Sequence, residues 1–322
     1  MAASRWRPLL WRAVFFSCVT VACLLLIGIS VPRRYYQDVL GADSDGQERQ
    51  ASRAKRIRDV CEKYRRSLRP AHYIGFKSNV RKGRPTYCPT RLCPMLVDTH
   101  RKILFCFIPK VASTTVKSLF WDLLNFTSGE NLSLTTFHAD FNERVLRVGP
   151  THFSSRFLES YTKAIFVRHP FDRLVSAYED KANKSRSEVP YFYAQYWDSI
   201  LNKSRENTRV TFPQFIDYLL STPTRDWDEH WAPYYSRCEM CLVKYNLVGK
   251  LETGDADFKF LYNKLGVNYA GGNVKRKNER KQAGLETRSY FKSLTRDKIL
   301  ALYKKLFYDF QFFGYGINDF IT

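Results

Sequence analysis

Two stretches decide the reading of this chain: Ile103–Thr115, ILFCFIPKVASTT, and Lys163–Tyr178, KAIFVRHPFDRLVSAY. Each opens with a short apolar run, Ile103–Ile108 and Lys163–Val167, of the length and composition of a buried strand. Each then breaks near a proline and continues with helical spacing. The first helix is expected from about Thr114 to Leu124, and the second carries Leu174, Val175 and Tyr178 on one face. Strand, loop and helix in repeated order predict an α/β fold with a mainly parallel central sheet flanked by helices. Tyr245–Val248 reads as a third strand, and Phe212–Leu220, Phe258–Leu265 and Leu294–Phe307 as amphipathic helices. In such sheets ligands bind beyond the carboxyl ends of the strands, where both loops lie.

The first loop is Pro109-Lys110-Val111-Ala112-Ser113-Thr114-Thr115. A helix amino end offers unpaired amides and partial positive charge, so it favours an anion. Three hydroxyls and the Lys110 ammonium add to this, although the glycines of GxxxxGK[ST] are missing. Taken alone, the segment is better explained as an ordinary Ser/Thr helix cap with a solvated lysine. The second loop is Arg168-His169-Pro170-Phe171-Asp172-Arg173-Leu174-Val175-Ser176. Arg168 ends a strand, and its fork can hold two phosphate oxygens. Pro170 suits a first helical turn, and Ser176 lies two turns further on. A structural salt bridge is the alternative for Arg168.

The 322 residues hold 44% apolar side chains, with 20 Tyr and 24 Phe, which excludes a disordered, collagenous or low-complexity chain. Net charge is +21, and it is uneven: residues 49–84 carry thirteen basic groups against Asp59 and Glu62. No nucleic-acid-binding module accompanies this charge, so a polyanionic substrate is expected and a nucleic acid is not.

Ala13–Val31 is a run of 19 residues without a charge, long enough to cross a bilayer. Arg5, Arg7 and Arg12 precede it, which predicts a type II signal anchor; a cleaved signal peptide is the alternative. The expected layout is a cytosolic tail at 1–12, the anchor at 13–31, a basic stem at 32–86 with at most a short exposed helix, and a lumenal domain at 87–322. Sequons at Asn125, Asn131, Asn183 and Asn202 agree with a lumenal location. Six cysteines lie outside the anchor and predict disulfides in an oxidising compartment. Cys238-x-x-Cys241, with His230 nearby, also allows a zinc site, but no fourth ligand is apparent.

Taken together, the loops resemble those of the Golgi carbohydrate sulfotransferases of the HNK-1 type, which include chondroitin and dermatan 4-O-sulfotransferases. HWAPYYSRCEMCLVKYNLVGKLET (230–253) is similar to that family's W-x-P, C-x-x-C and VGK-x-ET block, and LYKKLFYDFQFFGY (302–315) to its carboxyl-terminal block. The resemblance covers roughly 87–316. It departs at His169, where Asp is commoner, at Val116 in place of Trp, and at Ser113-Thr114-Thr115. It implies a P-loop-like sulfotransferase fold and 3′-phosphoadenosine 5′-phosphosulfate as co-substrate, with no metal. Residues 109–115 would take the 5′-phosphosulfate and residues 168–176 the 3′-phosphate. Lys110 would neutralise the leaving phosphate, and His152 is the first candidate for general base, ahead of His138, Asp140 and His169. The implied acceptor is a glycan hydroxyl on a proteoglycan or glycoprotein, with GalNAc 4-OH or a terminal sugar of N-glycans foremost. Two other readings are a secretory-pathway kinase, for which no DFG-like or Walker-B-like element is present, and a non-catalytic glycosaminoglycan-binding protein.

Overall fold

In the computed structural model, which describes residues 33–68, 95–125, 134–141, 159–201, 209–269 and 280–321, four strands form one sheet in the order β1-β2-β3-β4. They are β1 (Met95–Asp98), β2 (Ile103–Cys106), β3 (Thr162–Val167) and β4 (Leu247–Lys250). β2–β3 and β3–β4 run parallel, while β1 is an antiparallel edge that the sequence pattern did not announce. β2 is buried at every position and β3 at all but its first. Such continuous burial is what a sheet covered on both faces requires. Gly249 in β4 is needed there, because a Cβ would stand 2.5 Å from the Phe166 ring.

The expected helices appear with small shifts. α1 is Arg33–Lys63, α2 Ser113–Leu123, α3 Leu134–Phe141, α4 Pro170–Lys181, α5 Pro190–Gln195 and α6 Phe212–Ser221. α7 is Tyr234–Arg237, α8 Met240–Val243, α9 Gly254–Lys264, α10 Arg280–Phe291 and α11 Arg296–Phe313. α6 starts sharply because Thr211 and Gln214 form a reciprocal capping box. α11 stops at Gly314, whose φ of 64° ends the helix in the left-handed region.

The chain divides into units Met1–Arg49 and Gln50–Thr322. The second unit thus begins within the segment expected to be a stem. From Gln50 onward, α1 is not an exposed helix: Gln50, Ala54, Ile57 and Val60 are buried at helical spacing. Arg53 donates to Asp257 (2.7 Å) and to the Val248 carbonyl (2.6 Å), and Cys61 is bonded to Cys241. The reason is a narrow apolar stripe hidden among many cations, with polar neighbours satisfied by the domain itself. The run at 13–31 lies outside the described residues. Among those described, no helix is long and apolar enough to cross a membrane.

Two apolar clusters fill the second unit. One surrounds the sheet, and the other lies among α4, α5, α6, α10 and α11. The second strand-to-helix loop sits where they meet.

Candidate active site

Parallel register brings both loops to one sheet edge. Cys106 pairs with Ile165, so continuing the strands sets Pro109 level with Arg168. Arg173, buried in the first turn of α4, clamps what emerges there. Its guanidinium donates to the carbonyls of Pro109 (3.1 Å), Ala232 (2.7 Å) and Glu229 (2.9 Å), and lies 4.7 Å from the centre of the Tyr234 ring. The segment 229–232 therefore docks against both loops. From below, the buried Asp309 accepts the amides of Tyr234 (2.8 Å) and Tyr235 (3.0 Å). Burial raises its pKa to about 7 despite those bonds and Arg173. The Cys106–Cys238 disulfide ties the end of β2 to the same region.

The first loop is an anion nest made without glycine. Lys110 (φ 70°) and Ala112 (φ 60°) are both left-handed, and such strain at non-glycine residues persists only where the surroundings enforce it. No side chain caps α2, and its first intrahelical bond runs from the Val116 amide to the Ala112 carbonyl. The amides of Ser113–Thr115 thus lead the helix without the Ser/Thr cap that was the competing explanation.

The Lys110 ammonium donates to Asp180 at 2.8 Å, and Lys181 pairs with the same carboxylate at 3.2 Å. Burial lowers the pKa of Lys110, Asp180 opposes this, and Lys181 and Arg168 lower it further. Burial works against ionisation of Asp180, but the two lysines outweigh it and bring its pKa to about 2. Arg168 follows β3 as Lys110 follows β2, so both cations lie at the carboxyl edge of the parallel strands. The Arg168 guanidinium makes no hydrogen bond or ion pair among the described residues. Its backbone is pinned instead: the Tyr234 hydroxyl accepts its amide (3.2 Å) and donates to its carbonyl (3.1 Å).

Burial sorts the remaining expected donor-binding residues. Asp172, Ser176 and Asp180, four apart, form the accessible stripe of α4. The side chains of Val111, Pro170, Phe171, Arg173, Leu174 and Val175 are buried and support the loops from behind. His169 is also committed. Its Nδ1 accepts the Phe171 amide (3.2 Å) as the helix cap, its Nε2 donates to the Gly316 carbonyl (2.9 Å), and its own amide bonds to Glu252 (2.7 Å). It performs the capping task an Asp would perform and has no nitrogen left for a proton transfer.

His138 on α3 joins the first loop. The Lys117 ammonium can only donate, so His138 Nδ1 accepts from it at 3.2 Å. Nε2 then carries the proton and donates to Thr114 Oγ1 at 3.1 Å, which leaves the Thr114 proton for a ligand. Burial and then Lys117, Lys181, His230 and Lys110 depress the His138 pKa to about 4. Burial lowers that of Lys117 to about 8.

Sequence reading considered His230 only as a zinc ligand and missed its pairing with Asp228. Asp228 Oδ1 accepts both Nδ1–H (2.6 Å) and the amide (3.0 Å) of His230, while its Oδ2 accepts the Tyr196 hydroxyl (3.0 Å). Burial would raise the Asp228 pKa, but these bonds hold it below the ordinary carboxylate value. Asp180 was also missed, although it continues the four-residue spacing of Asp172 and Ser176.

The other calls divide between described and undescribed residues. Asp140 is half-buried on α3. His152, Asn131 and Asn202 lie outside the described residues. Asn125 is exposed, whereas Asn183 is half-buried and donates to Glu179 at 3.1 Å. Cys238 and Cys241 pair with Cys106 and Cys61 respectively, not with each other. No group of three or more His, Cys, Asp or Glu among the described residues is placed to hold a metal ion.

Comparison with known proteins finds carbohydrate sulfotransferases. Carbohydrate sulfotransferase 11 of Rattus norvegicus is 28% identical over 260 residues, covering 76% of this chain and 73% of its own. Carbohydrate sulfotransferase 14 of Danio rerio is 27% identical over 291 residues, covering 87% and 75%. Carbohydrate sulfotransferase 10 of Mus musculus is 30% identical over 247 residues, covering 70% and 67%. No solved structure matches the chain. A profile of the sulfotransferase family matches residues 94–316, which takes in β1, both loops, the Arg173 clamp and Asp309, and the chain belongs to that family.

Proposed function

We propose that this chain transfers a sulfuryl group from 3′-phosphoadenosine 5′-phosphosulfate to a hydroxyl of a glycan carried by a proteoglycan or glycoprotein. The observation that carries the reading is the convergence of Lys110, Arg168 and the uncapped amino end of α2 on one sheet edge. Each of these groups is a cation or a hydrogen-bond donor, as a nucleotide with phosphates on two of its ribose oxygens demands. Lys110 and residues 112–115 take the 5′-phosphosulfate, and Arg168 with Ser176 takes the 3′-phosphate. Sulfuryl transfer resembles phosphoryl transfer, in which charge spreads over equatorial oxygens and the incoming and leaving oxygens lie in line. The protein then positions the partners and stabilises charge. Lys110 neutralises the leaving phosphate, and the Thr114 hydroxyl, oriented by His138, donates to it.

The relatives' names give the acceptor class as carbohydrate. GalNAc 4-OH of chondroitin or dermatan is the leading acceptor, and a terminal sugar of N-glycans is second. Residues 13–31 anchor the enzyme as a single-pass type II protein of the Golgi membrane, with the catalytic unit lumenal. No observation favours the kinase or the non-catalytic reading. The test is transfer of radiolabelled sulfate from the donor to a panel of desulfated glycosaminoglycans and N-glycans, followed by disaccharide analysis. Incorporation at GalNAc O4 that Lys110→Ala abolishes is the expected result. Binding of glycan without transfer overturns the reading.

A further inference from the structure

We propose that His230 is the general base of the transfer reaction and that Asp228 is its positioning residue, an assignment that rests on the sulfotransferase reading above. His230 is adjacent to the donor loops by three independent links. Arg173 binds the carbonyls of Pro109, Glu229 and Ala232 at once, so the backbone on both sides of His230 is tied to the residue before Lys110. The Phe192 ring lies 5.1 Å from the Lys181 ammonium and 5.6 Å from the His230 ring, and Lys181 shares Asp180 with Lys110. His138, bonded to Thr114 of the first loop, feels both His230 and Lys110.

The dyad has the required tautomer. Asp228 accepts the Nδ1 proton, which leaves the Nε2 lone pair open, and Nε2 makes no hydrogen bond among the described residues. Tyr196 and the His230 amide hold the carboxylate in turn. The other histidines on this edge are committed, since both ring nitrogens of His138 and of His169 are bonded within the protein. His152 lies outside the described residues.

In the step, His230 Nε2 takes the proton of the acceptor hydroxyl as its oxygen bonds to sulfur. The bond from sulfur to the 5′-phosphate oxygen breaks, and its electron pair stays with that phosphate. The products are the sulfate ester, adenosine 3′,5′-bisphosphate and a His230 imidazolium, which loses its proton to water.

The charged and titratable groups around the pair come from several elements: Tyr196 after α5, bonded to Asp228, the neighbouring Glu229 with its partner Arg237 of α7, and Lys181 of α4 across the Phe192 ring. The experiment uses the full chain and reads kcat against pH together with affinity for adenosine 3′,5′-bisphosphate. His230→Ala should lower kcat about 100-fold or more, change bisphosphate affinity less than about threefold, abolish the acid limb of the profile, and regain turnover with added imidazole. Asp228→Asn should lower kcat about tenfold and move the acid limb to lower pH, because the imidazolium loses its counter-charge. Retained bisphosphate affinity shows that each variant is folded. An active wild type with His230→Ala within tenfold of it, or with the acid limb intact, or with turnover and bisphosphate affinity lost in equal proportion, overturns the assignment alone. So does loss of the acid limb in His152→Ala but not in His230→Ala. A wild type that binds bisphosphate yet sulfates no acceptor overturns the parent reading, and the assignment falls with it.

Discussion

The Lys110 ammonium and the Asp180 carboxylate are 2.8 Å apart, although 70 residues separate them in sequence. The contact joins the entrance of one strand-to-helix loop to the last turn of the helix that follows the other. Asp180 keeps a partly buried lysine charged, and its loss exposes Lys110 to burial and to the repulsion of Lys181 and Arg168. Removing the lysine itself should cut kcat/KM by about 100- to 1,000-fold, the scale of one preorganised charge contact in a transition state. Asp180→Asn should act differently: kcat/KM at neutral pH changes modestly, and the basic limb of its pH profile moves to lower pH. A basic limb unmoved in Asp180→Asn would mean that the carboxylate does not set the charge of Lys110.

His138 carries a second pH signature, this time in stability. Its pKa is about 4 in the folded chain against 6.5 for the free side chain. Between those values the unfolded chain binds more protons, so stability falls as pH drops through the window and is unaffected by this group above it. His138→Ala should flatten that fall by on the order of 1 kcal/mol, a figure discounted for partial solvent screening. The same variant unhooks Thr114 and should weaken affinity for adenosine 3′,5′-bisphosphate by about tenfold, the worth of one oriented hydrogen bond. Urea titrations at pH 4.5 and 7 and calorimetric binding read the two effects separately.

Much of this was legible from short segments, for identifiable reasons. Buried parallel strands must be nearly continuously apolar, and both ILFCFI and the AIFV that follows Lys163 are. The two anion loops follow from where strands end. What escaped the sequence depends on long-range register. Nothing local distinguishes Arg173, which turns inward, from the half-buried Arg168, because only the docking of 229–232 supplies three carbonyls for the former. Gln50–Leu68 reads as a solvated cationic helix until its narrow apolar stripe meets β4 and α9. Asp228 and His230 are ordinary loop residues in sequence, and only the fold bonds the carboxylate to Tyr196 and ties the backbone on both sides of His230 to Pro109 through Arg173.

Arg173 makes a sharp case because the motif resemblance and the structure assign it different work. A ligand contact would cost turnover or donor affinity while leaving the fold intact. A buried clamp costs stability first. Arg173→Met leaves three carbonyls without their donor and should destabilise the chain by about 2–4 kcal/mol. Arg173→Lys should recover only part of this, since an ammonium cannot reproduce the planar fork. Guanidinium denaturation midpoints measure both. A midpoint within 0.5 kcal/mol of wild type for Arg173→Met would return the residue to the ligand side.

The Cys106–Cys238 bond closes a span of 132 residues, from the end of β2 to the segment that follows His230. Closing so long a loop restricts the unfolded chain strongly, so replacing the pair by alanines should cost about 2–5 kcal/mol. The bond also shares a task with Arg173, since both hold 229–238 against the first loop. Its removal should therefore raise the KM for the glycan acceptor more than the KM for the nucleotide, whose proposed contacts lie on α2 and α4. The Cys61–Cys241 bond is the internal control: it anchors α1 to α8, and neither cysteine belongs to β2 or to a donor loop, over a span of 180 residues. Its removal should lower the melting temperature by a similar amount and leave the ratio of the two KM values unchanged. Equal kinetic effects from the two double variants would show that neither bond positions the acceptor side.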